Sequence, residues 1–190
     1  MIEQTLVLIK PDGVQMRLIG KILSRFEDTG LKISAMKMVW PDEDKARNHY
    51  PMDEEWAKNM FKKTKDAAEK NNEPLKYDNY EEMGKFVNDA LVEFIQESPV
   101  IAFVLEGPSA IELVRKLIGH TEPKQAAPGT IRGDFASIET YVLANFKDRP
   151  LRNLIHASDS VENAKKEIAL WFDKEEVHDY KRPGDNHAFD

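Results

Sequence analysis

Residues 5–13 read TLVLIKPDG, a short apolar run closed by a proline, an aspartate and a glycine. A run of this length that is rich in β-branched residues predicts a buried strand, and Pro-Asp-Gly predicts the turn that ends it. Residues 18–29 follow with apolar side chains at helical spacing, and Gly30 is where a C-cap glycine belongs. The start of the chain therefore predicts a strand followed by a helix.

A second strand is predicted over residues 31–38, where Leu31, Ile33 and Ala35 alternate with polar residues. The alternation changes phase at residues 36–38. This change predicts either a β-bulge at that point or a strand that is covered on both faces.

The remaining elements complete a recognisable order. Residues 41–98 have helical character throughout, and residues 100–105 (VIAFVL) predict a third buried strand. A helix over 111–118, ended by Gly119, comes next; the apolar pair Leu154-Ile155 then precedes a last helix. The order predicts an α+β, ferredoxin-like βαββαβ fold, with a four-stranded antiparallel sheet and helices on one of its faces.

Composition limits the possible classes of protein. The chain has 190 residues, of which 41% are hydrophobic and 32% charged, a balance typical of a single globular domain. It has no cysteine, which excludes disulfide frameworks, thiolate zinc sites and cysteine nucleophiles. The net charge of −7 disfavours nucleic acid and anionic membranes as partners. With no basic leader and no apolar run of about 18 residues, we expect a cytoplasmic protein without a membrane partner.

The long polar stretch 119–152 is a candidate ligand-binding loop, because structureless connections seldom exceed about 12–15 residues without a function. Its centre, residues 128–135, reads PGTIRGDF. Two glycines flank Arg132, so the backbone can approach a ligand while the guanidinium points at it. Basic residues outnumber acidic ones in this stretch, which favours a small anionic ligand; a solvated surface loop is the alternative.

Two further stretches carry reactive side chains. Residues 153–160 read NLIHASDS, and His156 precedes serines and an aspartate that can cap a helix. A histidine there can be a base, a nucleophile, a metal ligand or a packed strand-end residue. Glu167, on the following helix, can reach back to orient the imidazole or be an ordinary flanking carboxylate. Lys10 emerges at a strand end, either toward a ligand or as a turn lysine. The spacing of the other histidines predicts no zinc site.

Taken together, residues 5–14, 128–135, 153–160 and 167–172 resemble nucleoside diphosphate kinases, in order and in detail. The likeness extends over residues 3–50, 86–135 and 152–180. It implies a ping-pong reaction in which the γ-phosphate of a nucleoside triphosphate moves to His156 and then to a different nucleoside diphosphate.

The resemblance also implies a role for each site residue. Glu167 holds the other ring nitrogen of His156, supported by Ser158, and Tyr50 places its hydroxyl near the transferred group. The residues that contact the nucleotide are Lys10, Phe86, Arg115, Thr121, Arg132 and Asn153. We expect Arg132 to be open to solvent when the site is empty. Mg²⁺ is expected on the nucleotide phosphates, without a protein cage of its own.

Two stretches depart from the family pattern: residues 51–85 and 136–152 are insertions within a single domain of residues 1–190. We expect the first to form a helix packed by its aromatic face and to extend the wall of the cleft beside the base; an outward-facing decoration or an oligomer contact is the alternative. Phe86 is the aromatic residue in register with the family's base platform. The resemblance implies a homo-oligomer, hexamer or tetramer. A catalytically silent nucleotide sensor and a ferredoxin-like nucleic-acid binding module remain as alternatives.

Overall fold

A computed structural model of the chain describes residues 2–71, 75 and 77–183. The strands are β1 (Ile2–Ile9), β2 (Lys32–Val39), β3 (Val100–Pro108) and β4 (Ile155–Ala157). The helices are α1 (Pro11–Gln15), α2 (Ile19–Glu27), α3 (Glu43–His49), α4 (Glu54–Asn71), α5 (Tyr80–Ile95), α6 (Ala110–Ile118), α7 (Ile131–Phe135), α8 (Tyr141–Phe146) and α9 (Val161–Trp171). Short 3₁₀ turns occupy Pro123–Gln125 and Lys174–Glu176.

The four strands form one antiparallel sheet in the order β2-β3-β1-β4, which confirms the predicted ferredoxin-like α+β fold. The register of β1 and β4 places Leu8 opposite His156. Because β1 ends at Ile9, this register brings Lys10 to the same end of the sheet as the start of β4. The candidate site therefore lies where these two strands meet.

Helices cover both faces of the sheet, so the prediction of a single covered face was wrong. Val7 and Ile9 point into one apolar cluster with residues of α2 and α6, such as Phe26 and Val114. Leu6 and Leu8 point into a second cluster, which contains Ala46, Val92, Ile95, Trp171 and Phe172 of α3, α5 and α9 and their flanks. Burial on both faces explains why residues 5–9 form a continuous apolar run.

The irregularity in β2 lies earlier than the pattern predicted. The pairing of β2 with β3 shifts between Ile33 and Ala35, so the extra residue is Ser34 and the prediction of a bulge at 36–38 was wrong. Ser34 and Ala35 are both buried, and alternation resumes after them with Met36 and Met38 exposed. The change of phase seen at 36–38 is thus the consequence of a bulge two residues upstream.

Both stretches that were predicted to be insertions contain a helix within the described residues, α4 in the first and α8 in the second. In the first, α4 packs against α5 where Ala57 contacts Gly84, with Lys58 on the exposed side. In the second, the buried carboxylate of Glu139 accepts hydrogen bonds from both terminal nitrogens of Arg149 (2.5 and 2.9 Å) and from the Arg152 backbone N–H (3.0 Å). Within the part of the chain that the structure describes, no helix has the length and apolar character to cross a membrane.

Candidate active site

The site is built on a strained turn at the start of β4. Leu154 has a φ of +68°, and Ile155 N–H donates to the Asn153 carbonyl at 2.8 Å across it. Such a conformation costs a β-branched or bulky residue roughly 1–3 kcal/mol and persists where its surroundings fix it. The buried carboxylate of Asp12 does so, because it accepts the N–H groups of Leu154 (2.9 Å) and Gly13 (3.0 Å).

His156 follows this turn and is oriented by a carboxylate. Its Nε2 lies 3.0 Å from Oε1 of Glu167, and Oε2 of Glu167 accepts the Ser158 hydroxyl at 2.5 Å. Since an ionised carboxylate only accepts, the hydrogen of a neutral His156 ring belongs on Nε2. The lone pair of Nδ1 is then available as a nucleophile.

A buried lysine lies beside the turn. Lys10 is 7% exposed and donates from Nζ to Oδ1 of Asn153 at 2.7 Å, while Nδ2 of Asn153 donates to the Thr121 carbonyl at 2.9 Å. Burial lowers the pKa of Lys10 to about 8; the Asp12 carboxylate opposes this effect, and Arg132 adds to it. The positive charge of the ammonium is thus only weakly neutralised by the protein, which suits the binding of an anionic ligand.

Arg132 is not open to solvent, and the expectation that it would be was wrong. It is 7% exposed and donates to three backbone carbonyls: Asn153 at 3.2 Å, Gly119 at 2.9 Å and Ile155 at 2.7 Å. Burial, with a contribution from Arg115, lowers its pKa to about 10. The arginine therefore ties the loop to the strained turn and to β4, besides bringing positive charge to the site.

The loop leaves no room for a side chain at Gly133, beside Arg132. A Cβ there would overlap the carbonyl oxygen of Ala127 and come within 2.9 Å of Oγ1 of Thr130, the residue that caps α7. We expect Gly133→Ala to lower the free energy of unfolding by about 1–3 kcal/mol.

Chemical denaturation of Gly133→Ala checks this, with Gly20→Ala as the control. Gly20 lies within α2, and a Cβ there would meet nothing within 4 Å. The control is therefore expected to be neutral or slightly stabilising. Equal stability of both variants and the native chain would contradict the close packing of the loop.

The other predicted site residues are more exposed. Arg115 lines a surface cleft beside Asp159 and Ser160, and Thr121 is exposed on the loop after α6. Phe86 lies on α5 with 42% of its surface exposed, and its ring packs 5.5 Å from that of Tyr77. The predicted base platform therefore has an aromatic neighbour that sequence reasoning missed.

His49 is buried and packs against His156, and the half-buried Tyr50 packs against His49. The Tyr50 hydroxyl has no hydrogen-bond partner among the described residues, and burial, followed by Asp12 and Glu167, raises its pKa. The His49 ring lies 4.5 Å from that of His156. Sequence reasoning gave His49 no role, although its position next to Tyr50 was a signal that could have found it.

The structure also groups His49, His156 and Glu167, with potential ligand atoms within 4.8 Å of one another, which histidine spacing did not predict. The donor set does not fit a resident metal. Trp171 donates to Nδ1 of His49, which puts the hydrogen of a neutral His49 on Nε2. Both carboxylate oxygens of Glu167 are already engaged by His156 and Ser158.

Comparison with known proteins identifies the family. The family model for nucleoside diphosphate kinase matches residues 3–71 and 68–177. A curated nucleoside diphosphate kinase from Pyrobaculum aerophilum is 43% identical over 180 residues, covering 93% of this chain and 98% of the relative. A second, from Pyrococcus horikoshii, is 43% identical over 183 residues, covering 96% of this chain and 93% of the relative. Coverage this broad takes in residues of both stretches that were predicted to be insertions.

Solved structures similar to this chain indicate the same family. The crystal structure of an NDP kinase from Pyrobaculum aerophilum has a TM-score of 0.89 at 40% identity and covers 94% of this chain and 100% of its own. A transition-state mimic of nucleoside-diphosphate kinase from Borrelia burgdorferi, with bound vanadate and ADP, has a TM-score of 0.79 at 39% identity and covers 99% and 97%. The chain therefore belongs to the nucleoside diphosphate kinase family and is an enzyme of the phosphotransferase class.

Proposed function

We propose that the chain transfers the γ-phosphoryl group of a nucleoside triphosphate to a nucleoside diphosphate through a phosphohistidine at His156. The observation that carries this proposal is the 3.0 Å contact between Nε2 of His156 and Glu167, which leaves Nδ1 with a free lone pair. The relative from Borrelia burgdorferi binds ADP and vanadate, a combination that supports phosphoryl transfer in this fold. A silent nucleotide sensor would have no use for an oriented imidazole.

The reaction has two half-steps. In the first, Nδ1 of His156 attacks the γ-phosphorus, a P–N bond forms, and the bond from that phosphorus to the β–γ bridging oxygen breaks. The nucleoside diphosphate leaves with the electron pair of that bond. In the second, a terminal phosphate oxygen of another nucleoside diphosphate attacks the same phosphorus, the P–N bond breaks, and Nδ1 regains its lone pair.

The surrounding side chains stabilise the charge that is transferred. Lys10, Arg132 and Arg115 bring positive charge toward the three equatorial oxygens of the phosphoryl group. The Tyr50 hydroxyl, unpartnered among the described residues, is available to donate to one of them. Asn153 and Thr121 contact phosphate and sugar, and Phe86, beside Tyr77, contacts the base.

Mg²⁺ belongs to the substrate in this account, because it arrives on the nucleotide phosphates. The protein side of the site fits that arrangement. Both oxygens of the buried Asp12 carboxylate accept backbone N–H groups, and the charged side chains proposed to face the phosphates are cationic. Mg²⁺ supplies neutralising charge when the nucleotide is bound.

We also propose a cytoplasmic homo-oligomer, tetramer or hexamer. Exposed apolar side chains offer surface for subunit contacts at Met36, Met38 and Trp40 on and after β2, and at Ile138, Val142 and Phe146 in and around α8. Light scattering of the purified protein measures the mass; a monomer at micromolar concentration would refute this part of the proposal.

Steady-state kinetics tests the proposed mechanism. With ATP and GDP varied together, double-reciprocal plots are expected to be parallel, because the first product leaves before the second substrate binds. Lines that intersect would indicate a ternary complex and direct transfer, and would contradict a phosphohistidine intermediate.

The pKa of Lys10 predicts how the reaction depends on pH. A lysine with a pKa of about 8 loses its proton, and with it the attraction for phosphate, as pH rises through that value. We therefore expect kcat/KM for ATP to fall above about pH 8, since this constant reports the free enzyme. Lys10→Arg, whose guanidinium stays charged, is expected to lose this alkaline decline even if its maximum is lower. An identical decline in both proteins would show that Lys10 is not its cause.

The first insertion gives a prediction about the base. We propose that α4, packed against α5 through Ala57 and Gly84, extends the outer wall of the nucleotide cleft. Residues 54–78 can be replaced by a Gly-Ser linker that keeps Asn79, the residue that caps α5. We expect KM values to change unequally for adenine, guanine and cytosine nucleotides, while the rate of His156 phosphorylation at saturation is unchanged. A folded variant with unchanged KM for every base would refute the proposal.

A further inference from the structure

A second imidazole packs against the proposed nucleophile. His49, the last residue of α3, is 6% exposed, and its ring centroid lies 4.5 Å from that of His156 with the ring planes at 84°. One ring nitrogen of His49 lies within 4.8 Å of a ring nitrogen of His156 and of a Glu167 carboxylate oxygen. The reaction described above makes no use of this residue.

A hydrogen bond from Trp171 fixes the orientation of the His49 ring. Trp171, the fully buried last residue of α9, directs its indole Nε1–H to Nδ1 of His49 at 3.3 Å. An indole nitrogen can only donate, so Nδ1 of His49 must offer its lone pair and a neutral ring carries its hydrogen on Nε2. The rings of Trp171 and Tyr50 lie 5.4 and 4.7 Å from that of His49, at steep angles.

His49 is also kept uncharged. Burial, then His156, then Lys10 lower its pKa well below the ordinary 6.5. The titratable groups around it are Lys10 after β1, His156 on β4, Glu167 on α9 and the neighbouring Tyr50. The two oxygens of the Glu167 carboxylate are engaged by His156 and Ser158.

We propose that His49 is a positioning residue for phosphoryl transfer: its ring, held by Trp171, forms a wall that keeps Nδ1 of His156 turned toward the nucleotide. This inference rests on the proposed phosphohistidine. The wall is needed because the torsion that turns a histidine ring is broad, and one hydrogen bond from Glu167 leaves the ring free to rock. A perpendicular ring at 4.5 Å restricts that motion. Displacement of a reacting atom by about 1 Å can cost roughly 100-fold in rate.

Three substitutions of His49 distinguish a role in positioning His156 from a role in stability alone. His49→Ala removes the ring, and His49→Gln removes it while keeping an oxygen that can accept from Trp171. His49→Phe restores a neutral ring. Single-turnover phosphorylation by γ-labelled ATP is expected to slow about 10- to 100-fold in the Ala and Gln variants, with the nucleotide Kd nearly unchanged, and to recover in the Phe variant. Val92→Ala, in the apolar cluster that contains Trp171, controls for lost stability.

A second measurement does not depend on activity. ¹⁵N NMR of the His156 ring is expected to show one neutral tautomer, protonated on Nε2, in the native chain and in His49→Phe, and a mixture in His49→Ala and His49→Gln. Native rates and a single tautomer in the Ala and Gln variants would overturn the inference, as would a Phe variant as slow as the Ala variant. If the native chain formed no phosphohistidine, the proposed function would fail, while the tautomers would still test His49.

Discussion

His156→Ala is expected to abolish phosphoryl exchange, lowering the rate by about 10⁴-fold or more, because it removes the proposed carrier of the phosphoryl group. Nucleotide binding is expected to persist, since the cations Lys10, Arg115 and Arg132 are untouched. Stability should change little, because the histidine side chain is partly exposed, at 23%. Coupled-enzyme assays measure the exchange, and calorimetry measures the binding.

His178→Ala is the matched control for His156→Ala. His178 is exposed, and its backbone N–H donates to the carbonyl of Ser34 on β2. Strand β2 is at the opposite edge of the sheet from β4. The control should exchange phosphate at the native rate. Exchange retained by His156→Ala would remove the covalent mechanism altogether.

Arg132→Ala is expected to lose both stability and turnover. The substitution removes a hydrogen-bond donor from the carbonyls of Asn153, Gly119 and Ile155, at about 1–3 kcal/mol for each carbonyl that is left without any donor. Turnover should also fall roughly 10²–10³-fold, the usual cost of removing a group that stabilises transition-state charge. Thermal unfolding and steady-state kinetics on the same preparation measure the two effects.

Arg115→Ala separates these two contributions, because Arg115 is exposed and brings positive charge to the site from the surface of α6. It should reduce turnover with almost no loss of stability. An Arg132→Ala variant as stable as the native chain would show that the three carbonyls do not depend on its guanidinium.

Elements with strong local signals were predictable from sequence. β1 and β3 were found because helices cover both faces of the sheet and every residue of their centres must be apolar. α7 and α8 were not found within the long loop, since helices of five and six residues carry too little periodicity. They are specified instead by the capping side chains of Thr130 and Thr140.

The site residues also differ in whether the sequence could predict them. Lys10, Arg132 and His156 lie in short contiguous stretches, and the resemblance of these stretches to nucleoside diphosphate kinases is what singles them out as site residues. The roles of Asp12 and His49 depend on contacts with Leu154 and Trp171, more than a hundred residues away, which exist only once the strands are paired and α3 and α9 are packed together. The burial of Arg132 could not be predicted from the sequence either, because a basic residue between glycines in a polar loop gives no sign of pointing inward.

His156 is proposed to carry the phosphoryl group between two nucleotides. Incubation of the native chain with ATP labelled on the γ-phosphate, followed by removal of nucleotide, tests it directly. The protein should retain label that is labile in acid and stable in base, and the label should pass quantitatively to added GDP or CDP. Protein that stays unlabelled while it still exchanges phosphate between ATP and GDP would contradict the account.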